Sequence, residues 1–426
     1  MVQIARGILL GFVFGRLLSA EPWWNSSWNR RCRVVIPGVG QSVKNFPVII
    51  PGKQIKLVAG NENVSLGSIR VIASGKEIPS QVDEFDDQEH PASQPNHFLN
   101  DNDELVFQID IPEAGTEVWV YWSTEPLPPA AYHSSSLIGE AMEPSVFQHD
   151  LQMWNDQVIV GLRGPARGAD PSKNSIENWG AGSLVWLDVF RSPVLHFRGS
   201  WSSIFPLGAI ACRPGQEANR WVKPWVLVRG PVRLAGATRL DGTKVKTDSG
   251  EIKLDVFHRV WLFDKGAMVC FEEFLSPHEE VKNFRQEFAF GFQLTGVGQE
   301  VLYYSQPGTL KSFSGQAEDL QAARENKIIA TASGLEDWFA CYSLKEKTGY
   351  AYFLGKAQPG EKRENSFYTR IHGAFRSSRS FSLRKGEPMV NRFWVAGLRE
   401  ATGADFQALA KFFSGINLQF GLVEKK

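Results

Sequence analysis

Two groups of side chains have the types and spacings that acid–base chemistry on a sugar needs. Glu272 and Glu273 are adjacent, and Glu287 lies in the next strand-like segment. Glycosidic bond hydrolysis uses a pair of carboxyl groups, about 5–5.5 Å or about 6.5–9.5 Å apart according to the stereochemistry. Neighbouring strand residues point to opposite faces, so one of Glu272 and Glu273 is expected to face the core. The other is then expected to pair with Glu287 across the sheet. The second group is Tyr368, Arg370, His372 and Arg376, which share one face of a strand expected over 366–375, Arg376 just past its end. Elimination across a uronic acid needs a cation on the carboxylate, a base and an acid. Arginine holds carboxylates in a bidentate manner, and His and Tyr suit proton transfer. The bland alternative for both groups is a solvated outer strand face.

Other chemistries are disfavoured. Eight histidines occur without HxH or HExxH spacing, and four cysteines (Cys32, Cys212, Cys270, Cys341) without a CxxC pair, so no zinc or other transition-metal site is expected. The cysteines read as small buried apolar residues. No phosphate-binding glycine loop and no G-x-S-x-G elbow is present, and no cofactor is implied. Lys plus Arg balances Asp plus Glu at 46 each, which points to neither nucleic acid nor an anionic membrane.

The elements that must position these residues are strands. From 221 to 294 the chain reads as a series of them: 221–229, 232–240 ending at the hairpin signal Asp241-Gly242, 254–263, then Asp264-Lys265-Gly266, 267–275 and 284–294. In the last, Phe284, Phe288, Phe290, Phe292 and Leu294 share a core face. The opposite face carries Arg285, Glu287, Ala289, Gly291 and Gln293, polar residues interleaved with small ones that leave room for a sugar ring. Upstream, 31–36, 46–50, 68–73, 77–82, 104–111 and 117–122 form a separate β module of common domain size. Pro126, Pro128, Pro129 and Ser134–Ser136 mark an exposed linker. Residues 404–413, with Phe406, Leu409, Ala410 and Phe413 on one face, read as a helix. Fourteen Trp and 29 Phe fit a β-rich core, and some Trp faces are candidate sugar-stacking platforms.

At the start, Arg6, the apolar stretch 7–18 and Leu18-Ser19-Ala20 before Glu21 have the layout of a secretory signal. The stretch is too short to span a membrane. A secreted or periplasmic protein is the expectation.

The motif Met153-Trp154-Asn155-Asp156-Gln157-Val158, with Arg163-Gly164-Pro165-Ala166 shortly after, resembles the start of the main domain in a group of secreted bacterial proteins. Their pattern is approximately Trp-Glu-Asn-Asp, a short strand, then Tyr-Gly-Pro-Ala; here Asn155 follows Trp154 directly. Val228-Arg229-Gly230-Pro231-Val232-Arg233 is similar to their G-P-[VI]-R strand start. The resemblance spans roughly residues 29–400. It implies a galactose-mutarotase-like β-supersandwich, grouped with polysaccharide-degrading proteins, and makes Trp154, Asn155, Asp156 and Arg163 candidate binding positions. Arg285, Arg370 and Arg376 join them as substrate-binding candidates.

The expectation is therefore an all-β protein. A signal peptide (1–20) precedes a small N-terminal β-sandwich or barrel (21–124), a Pro/Ser linker (125–139), a large antiparallel β-supersandwich (140–403), and a C-terminal helix and tail (404–426). The expected activity is binding and cleavage of a poly- or oligosaccharide on the concave face of the large sheet. Glu272, Glu273 and Glu287 are the candidate residues for hydrolysis, Tyr368 and His372 for elimination. The alternative is a non-catalytic carbohydrate-binding or cell-envelope scaffold protein.

Overall fold

The computed structural model describes residues 23–60, 62–86, 96–140, 149–163, 184–189, 196–198, 224–247, 250–291, 300–306, 309–314, 328–332, 338–343, 347–355, 360–368 and 374–426. The expected signal segment lies outside them. Among the described residues the protein is all-β and antiparallel, with two α-helices and one short 3-10 turn.

Period-two alternation became strands. Glu104–Ile111 has the expected bounds. It pairs with Val43–Pro51 and Ser80–Asp83 in a three-stranded sheet. Facing it is a five-stranded sheet of Arg30–Pro37, Arg70–Ala73, Lys76–Ile78, Gly115–Trp122 and Gln419–Lys425. Val34, Ile36, Val48, Val71, Phe107 and Val120 fill the space between, each at most 2% exposed. The expected strand at 77–82 is thus two strands in different sheets, divided at Pro79, which has no N–H for a ladder. The expected C-terminal tail is also a strand: Gln419–Lys425 pairs with Arg30–Pro37, so the two ends of the described chain meet.

The second unit is built on a nine-stranded sheet. Its order is Trp225–Arg229, Arg233–Thr247, Gly250–Phe263, Met268–Pro277, Met389–Arg399, Thr348–Phe353, Trp338–Ser343, Glu300–Gln306, Thr309–Ser314. Asp241-Gly242 is not the hairpin turn expected. The strand runs on past it as a bulge, with the register shifted between Leu240 and Thr243 and Gly242 at φ +61°. Asp255 holds the bulge by accepting the Gly242 N–H at 2.6 Å.

One face of this sheet lies on the N-terminal unit. There the helix Gly403–Phe413, close to its expected bounds, is wedged between Trp394 (4.7 Å from Phe413) and Phe46 (4.7 Å from Phe412). The other helix, Gly52–Ala59, is absent from the sequence expectation; only Gly52, Ile55 and Ala59 on it are buried, too sparse a pattern to read. The opposite face meets the sheet of Leu137–Glu140, His149–Trp154, Val158–Arg163, Leu184–Val189 and His196–Arg198. A Cβ on Gly236 would lie 2.7 Å from Leu151 Cδ2 and 2.8 Å from Leu162 Cδ1, so glycine is what lets these layers close.

Val281–Gly291 departs from the expected succession. It leaves the large sheet and joins a four-stranded one with Ala374–Leu383, Lys362–Tyr368 and Ile328–Ala332. The single strand expected over 366–375 is a pair: Lys362–Tyr368 runs antiparallel to Ala374–Leu383, and residues 369–373 between them lie outside the described residues.

Candidate functional site

Cross-strand register decides what each acidic residue does. Glu272 and Glu273 do point to opposite faces, and both are buried, at 2% and 1% exposure. The strand that carries them is flanked by Gly250–Phe263 and Met389–Arg399. The expected pairing of one of them with Glu287 is therefore incorrect, because Glu287 sits opposite Ser378 in the other sheet. Strand order is a property of the whole fold, and adjacency in sequence did not carry it.

Glu272 faces the N-terminal unit. Its carboxylate accepts from Arg259 Nε (2.9 Å), Trp261 Nε1 (2.6 Å) and Arg392 Nε (2.7 Å). Burial opposes its charge, but Arg259, then Arg392, outweigh burial and hold the carboxyl well below the usual glutamate range. A general acid must carry a proton near the working pH. Glu272 is held ionised and fully bonded, so its expected catalytic role gives way to a structural one. Alongside it, Arg233 bonds Asp83 and Glu104, each at 2.6 Å, and lies 3.7 Å above the Trp261 ring. Gln81 completes this lattice by accepting the N–H groups of Val232 and Arg233, both at 3.0 Å.

Glu273 lies on the other face, in a row of cross-strand neighbours. Thr238 is opposite His258, His258 opposite Glu273, and Glu273 opposite Asn391. His258 Nε2 is 3.1 Å from Glu273 Oε1, and Asn391 Nδ2 donates to Glu273 Oε2 at 2.9 Å. All four residues are 1–2% exposed. The imidazole and the carboxylate stand within hydrogen-bonding distance, and Thr238 and Asn391 extend the same cross-strand row with a hydroxyl and an amide.

The remaining candidates divide. Asn155 uses its whole side-chain capacity on the backbone: Nδ2 donates to Phe263 and Gly266 carbonyls (2.8 and 3.0 Å), and Oδ1 accepts from Gln157 and Val158 N–H (2.8 and 2.7 Å). It clamps two turns together and has nothing left for a ligand, so it is corrected to a structural role. Trp154 is half-buried and Asp156 exposed at the same turn. Arg163 ends its strand opposite His149. In the four-stranded sheet Ala289 pairs with Arg376, Arg376 with Ser366, and Ala374 with Tyr368. Since directly paired residues share a face, Arg285, Glu287, Arg376 and Tyr368 occupy register positions on one face. The register thus joins Glu287 to Tyr368 and Arg376 rather than to Glu273. Arg370 and His372 lie outside the described residues.

Sequence reasoning singled out Glu273 but missed Thr238, Asn391 and the His258 partnership, and on the opposite face it missed Arg233, Arg259 and Arg392. The available signal was polarity in the middle of otherwise apolar strands, as in the His258-Arg259 pair before Val260. Cys32 and Cys270 are buried thiols. Among the described residues no cluster of metal-ligating side chains occurs, and no helix is long and apolar enough to cross a membrane.

No protein-family model matches the chain, and no curated protein sequence matches it. Solved structures resemble it in shape. A protein in the glycosyl hydrolase family 38 from Enterococcus faecalis aligns over 92% of this chain and 47% of its own, with TM-score 0.47 and 9% identity. An alpha-mannosidase from Enterococcus faecalis V583 aligns over 93% and 46%, with TM-score 0.46 and 11% identity. A galactose mutarotase-like protein from Clostridium acetobutylicum aligns over 62% of this chain and 99% of its own, with TM-score 0.37 and 9% identity. The chain spans under half the length of the two Enterococcus faecalis proteins.

Proposed function

We propose that this is a secreted or periplasmic carbohydrate-active protein that binds a poly- or oligosaccharide and performs proton-transfer chemistry on it. The observation that carries the reading is the row Thr238–His258–Glu273–Asn391, with its imidazole–carboxylate pair at 3.1 Å. A buried acid–base pair flanked by a hydroxyl and an amide matches the demands of a substrate that offers several hydroxyls and one labile proton. Two-carboxylate hydrolysis is the weaker form of the proposal, because Glu272 is locked on the opposite face. Elimination from a uronic-acid polysaccharide is the stronger. The export assignment rests on Arg6 and the apolar stretch that follows.

The test is incubation of the protein with neutral and uronic-acid polysaccharides, following reducing ends and the ultraviolet absorbance of an unsaturated uronate. Wild type, His258→Gln and Glu273→Gln are compared after circular dichroism confirms that each folds. Rising absorbance in wild type, lost in both variants, is the expected outcome. Absorbance that survives in both variants would remove the row from the mechanism.

A second reading, carbohydrate binding without chemistry, is favoured by Trp225. It is 39% exposed and stacks on Phe257 at 6.2 Å with an interplanar angle of 29°. A flat aromatic face held rigid at the surface suits the apolar side of a sugar ring. Retardation of the protein in a polysaccharide-containing gel, abolished by Trp225→Ala and accompanied by neither product, would select this reading.

A further inference from the structure

Where the N-terminal unit, the large sheet and the C-terminal helix meet, they leave a groove of about 250 Å³. Phe46 comes from the strand Val43–Pro51, Trp394 from the sheet, Phe413 from the helix, and Leu418 from the segment that follows it. The polar side chains among its lining residues are Gln54 and Arg392. Neither face of the candidate carbohydrate row reaches this place: Arg392 is on the N-terminal side of the sheet, Glu273 and Asn391 on the other.

Arg392 is half-engaged. Nε and Nη2 are directed to Glu272, and the side chain is still 42% exposed. Among the described residues Nη1 has no hydrogen-bond or ion-pair partner. We propose that the groove binds a small, neutral, mostly apolar molecule, a single aromatic ring or short acyl chain bearing one acceptor oxygen, with Arg392 Nη1 donating to that oxygen.

Three considerations select this class. Size comes first: an apolar cavity of about 150 Å³ holds one benzene ring, so this groove takes a ring plus a small substituent and is too small for an oligosaccharide. Polarity comes second. A sugar ring needs several hydrogen-bond partners, and an unmet hydroxyl costs about 1–3 kcal/mol; Gln54 and Arg392 cannot supply enough. Charge decides the third point. Arg392 belongs to a lattice in which Arg233, Arg259 and Arg392 are balanced by Asp83, Glu104 and Glu272. The lattice is neutral, so it offers an N–H donor with no net field to reward an anion, and a carbonyl or ester oxygen fits better than a carboxylate.

The probes are benzamide, benzoate and maltose, titrated by NMR into the full chain. Benzamide is expected to bind, benzoate no more tightly than benzamide, and maltose not to compete. Leu418→Trp fills the groove without touching an ion pair and is expected to weaken benzamide at least tenfold. Arg392→Lys, which keeps a charge opposite Glu272 but withdraws the planar donor edge, is expected to weaken it about tenfold, the loss of one charge-assisted hydrogen bond. Benzamide binding unchanged in Leu418→Trp would place the ligand elsewhere and overturn the proposal. Benzoate binding tenfold more tightly than benzamide would overturn the neutral class, maltose competing for the groove would make it a sugar subsite, and no benzamide binding at its solubility limit would leave the groove without this function. The proposal stands apart from the carbohydrate reading, since a negative polysaccharide assay leaves each of these outcomes unchanged.

Discussion

Arg233 and Asp83 stand 150 residues apart in the chain and meet at 2.6 Å, the guanidinium 1% and the carboxylate 5% exposed. One belongs to the large sheet and the other to the N-terminal unit, so their pairing ties the two together. Burial pushes the Asp83 carboxyl above its ordinary range, and Arg233 offsets this only in part. Removing one partner of such a pair leaves an uncompensated buried charge and costs about 3–5 kcal/mol, whereas removing both is far milder. Arg233→Met is therefore expected to lower the unfolding free energy by about that much, and Arg233→Met combined with Asp83→Asn and Glu104→Gln to recover a substantial part. Urea denaturation of the three proteins, wild type included, makes the comparison. Equal stability of the single and triple variants would show that the ion lattice is not what holds the units together.

Glu272 determines an acid limit. Its carboxyl is held below the usual glutamate range by Arg259 and Arg392 against the effect of burial. A depressed carboxyl contributes stability above its unfolded pKa, about 4.3, and the contribution is lost as pH falls toward the folded value. Wild type is expected to lose stability steeply on acidification below about pH 4. Glu272→Gln should start from lower stability at neutral pH and show a flatter acid limb, which denaturation midpoints across pH will reveal.

Asp103 has the opposite sign. Burial pushes its carboxyl up to about 6, although the N–H groups of Asn100 (2.8 Å) and Phe85 (3.1 Å) pull the other way. A raised carboxyl contributes stability that is present below its unfolded pKa and lost as pH rises through the folded value. Carbon-13 titration of the Asp103 carboxyl is expected to give a midpoint near 6. A midpoint in the ordinary aspartate range near 3.9 would mean that the pocket around Gly52, Phe85 and Asn100 admits water.

The Pro/Ser connection between the two units is anchored at its end. Asp264 Oδ1 accepts from the N–H groups of Ser135 (2.6 Å) and Ser136 (2.9 Å) and from the hydroxyls of Ser134 and Ser136 (both 2.8 Å). Burial would raise this carboxyl, but the Ser136 and Ser134 hydrogen bonds win and lower it. Asp264→Ala removes the shared acceptor. It is expected to cost about 2–4 kcal/mol, from buried donors left unmet, and to accelerate proteolysis between Glu125 and Ser136. Unchanged cleavage would indicate that the earlier contact, Arg70 Nη2 to the Pro128 carbonyl at 2.9 Å, holds the segment alone.

What the sequence determined by itself was local. Alternation at Leu105, Phe107, Ile109 and Ile111 dictates a strand because each residue fixes only its own side of the pleat. The helical spacing of Phe406, Leu409, Ala410 and Phe413 dictates a helix for the same reason, and both stand in the structure within a residue of the expected bounds. The opposite orientations of Glu272 and Glu273 were legible too. Which strands lie beside them was not, because neighbours are chosen by packing of the whole molecule. Asn391 reaches Glu273 across 118 residues of chain, and Glu287, only fourteen residues away by number, is in another sheet. The same holds for the strand expected over 366–375, where the fold sets Lys362–Tyr368 and Ala374–Leu383 side by side as antiparallel neighbours. A side chain's chemistry is written in its own identity. Its partners follow from register and sheet order, which are settled when distant strands come together to bury their apolar faces, and so only the tertiary structure joins His258 to Glu273 and Arg233 to Asp83.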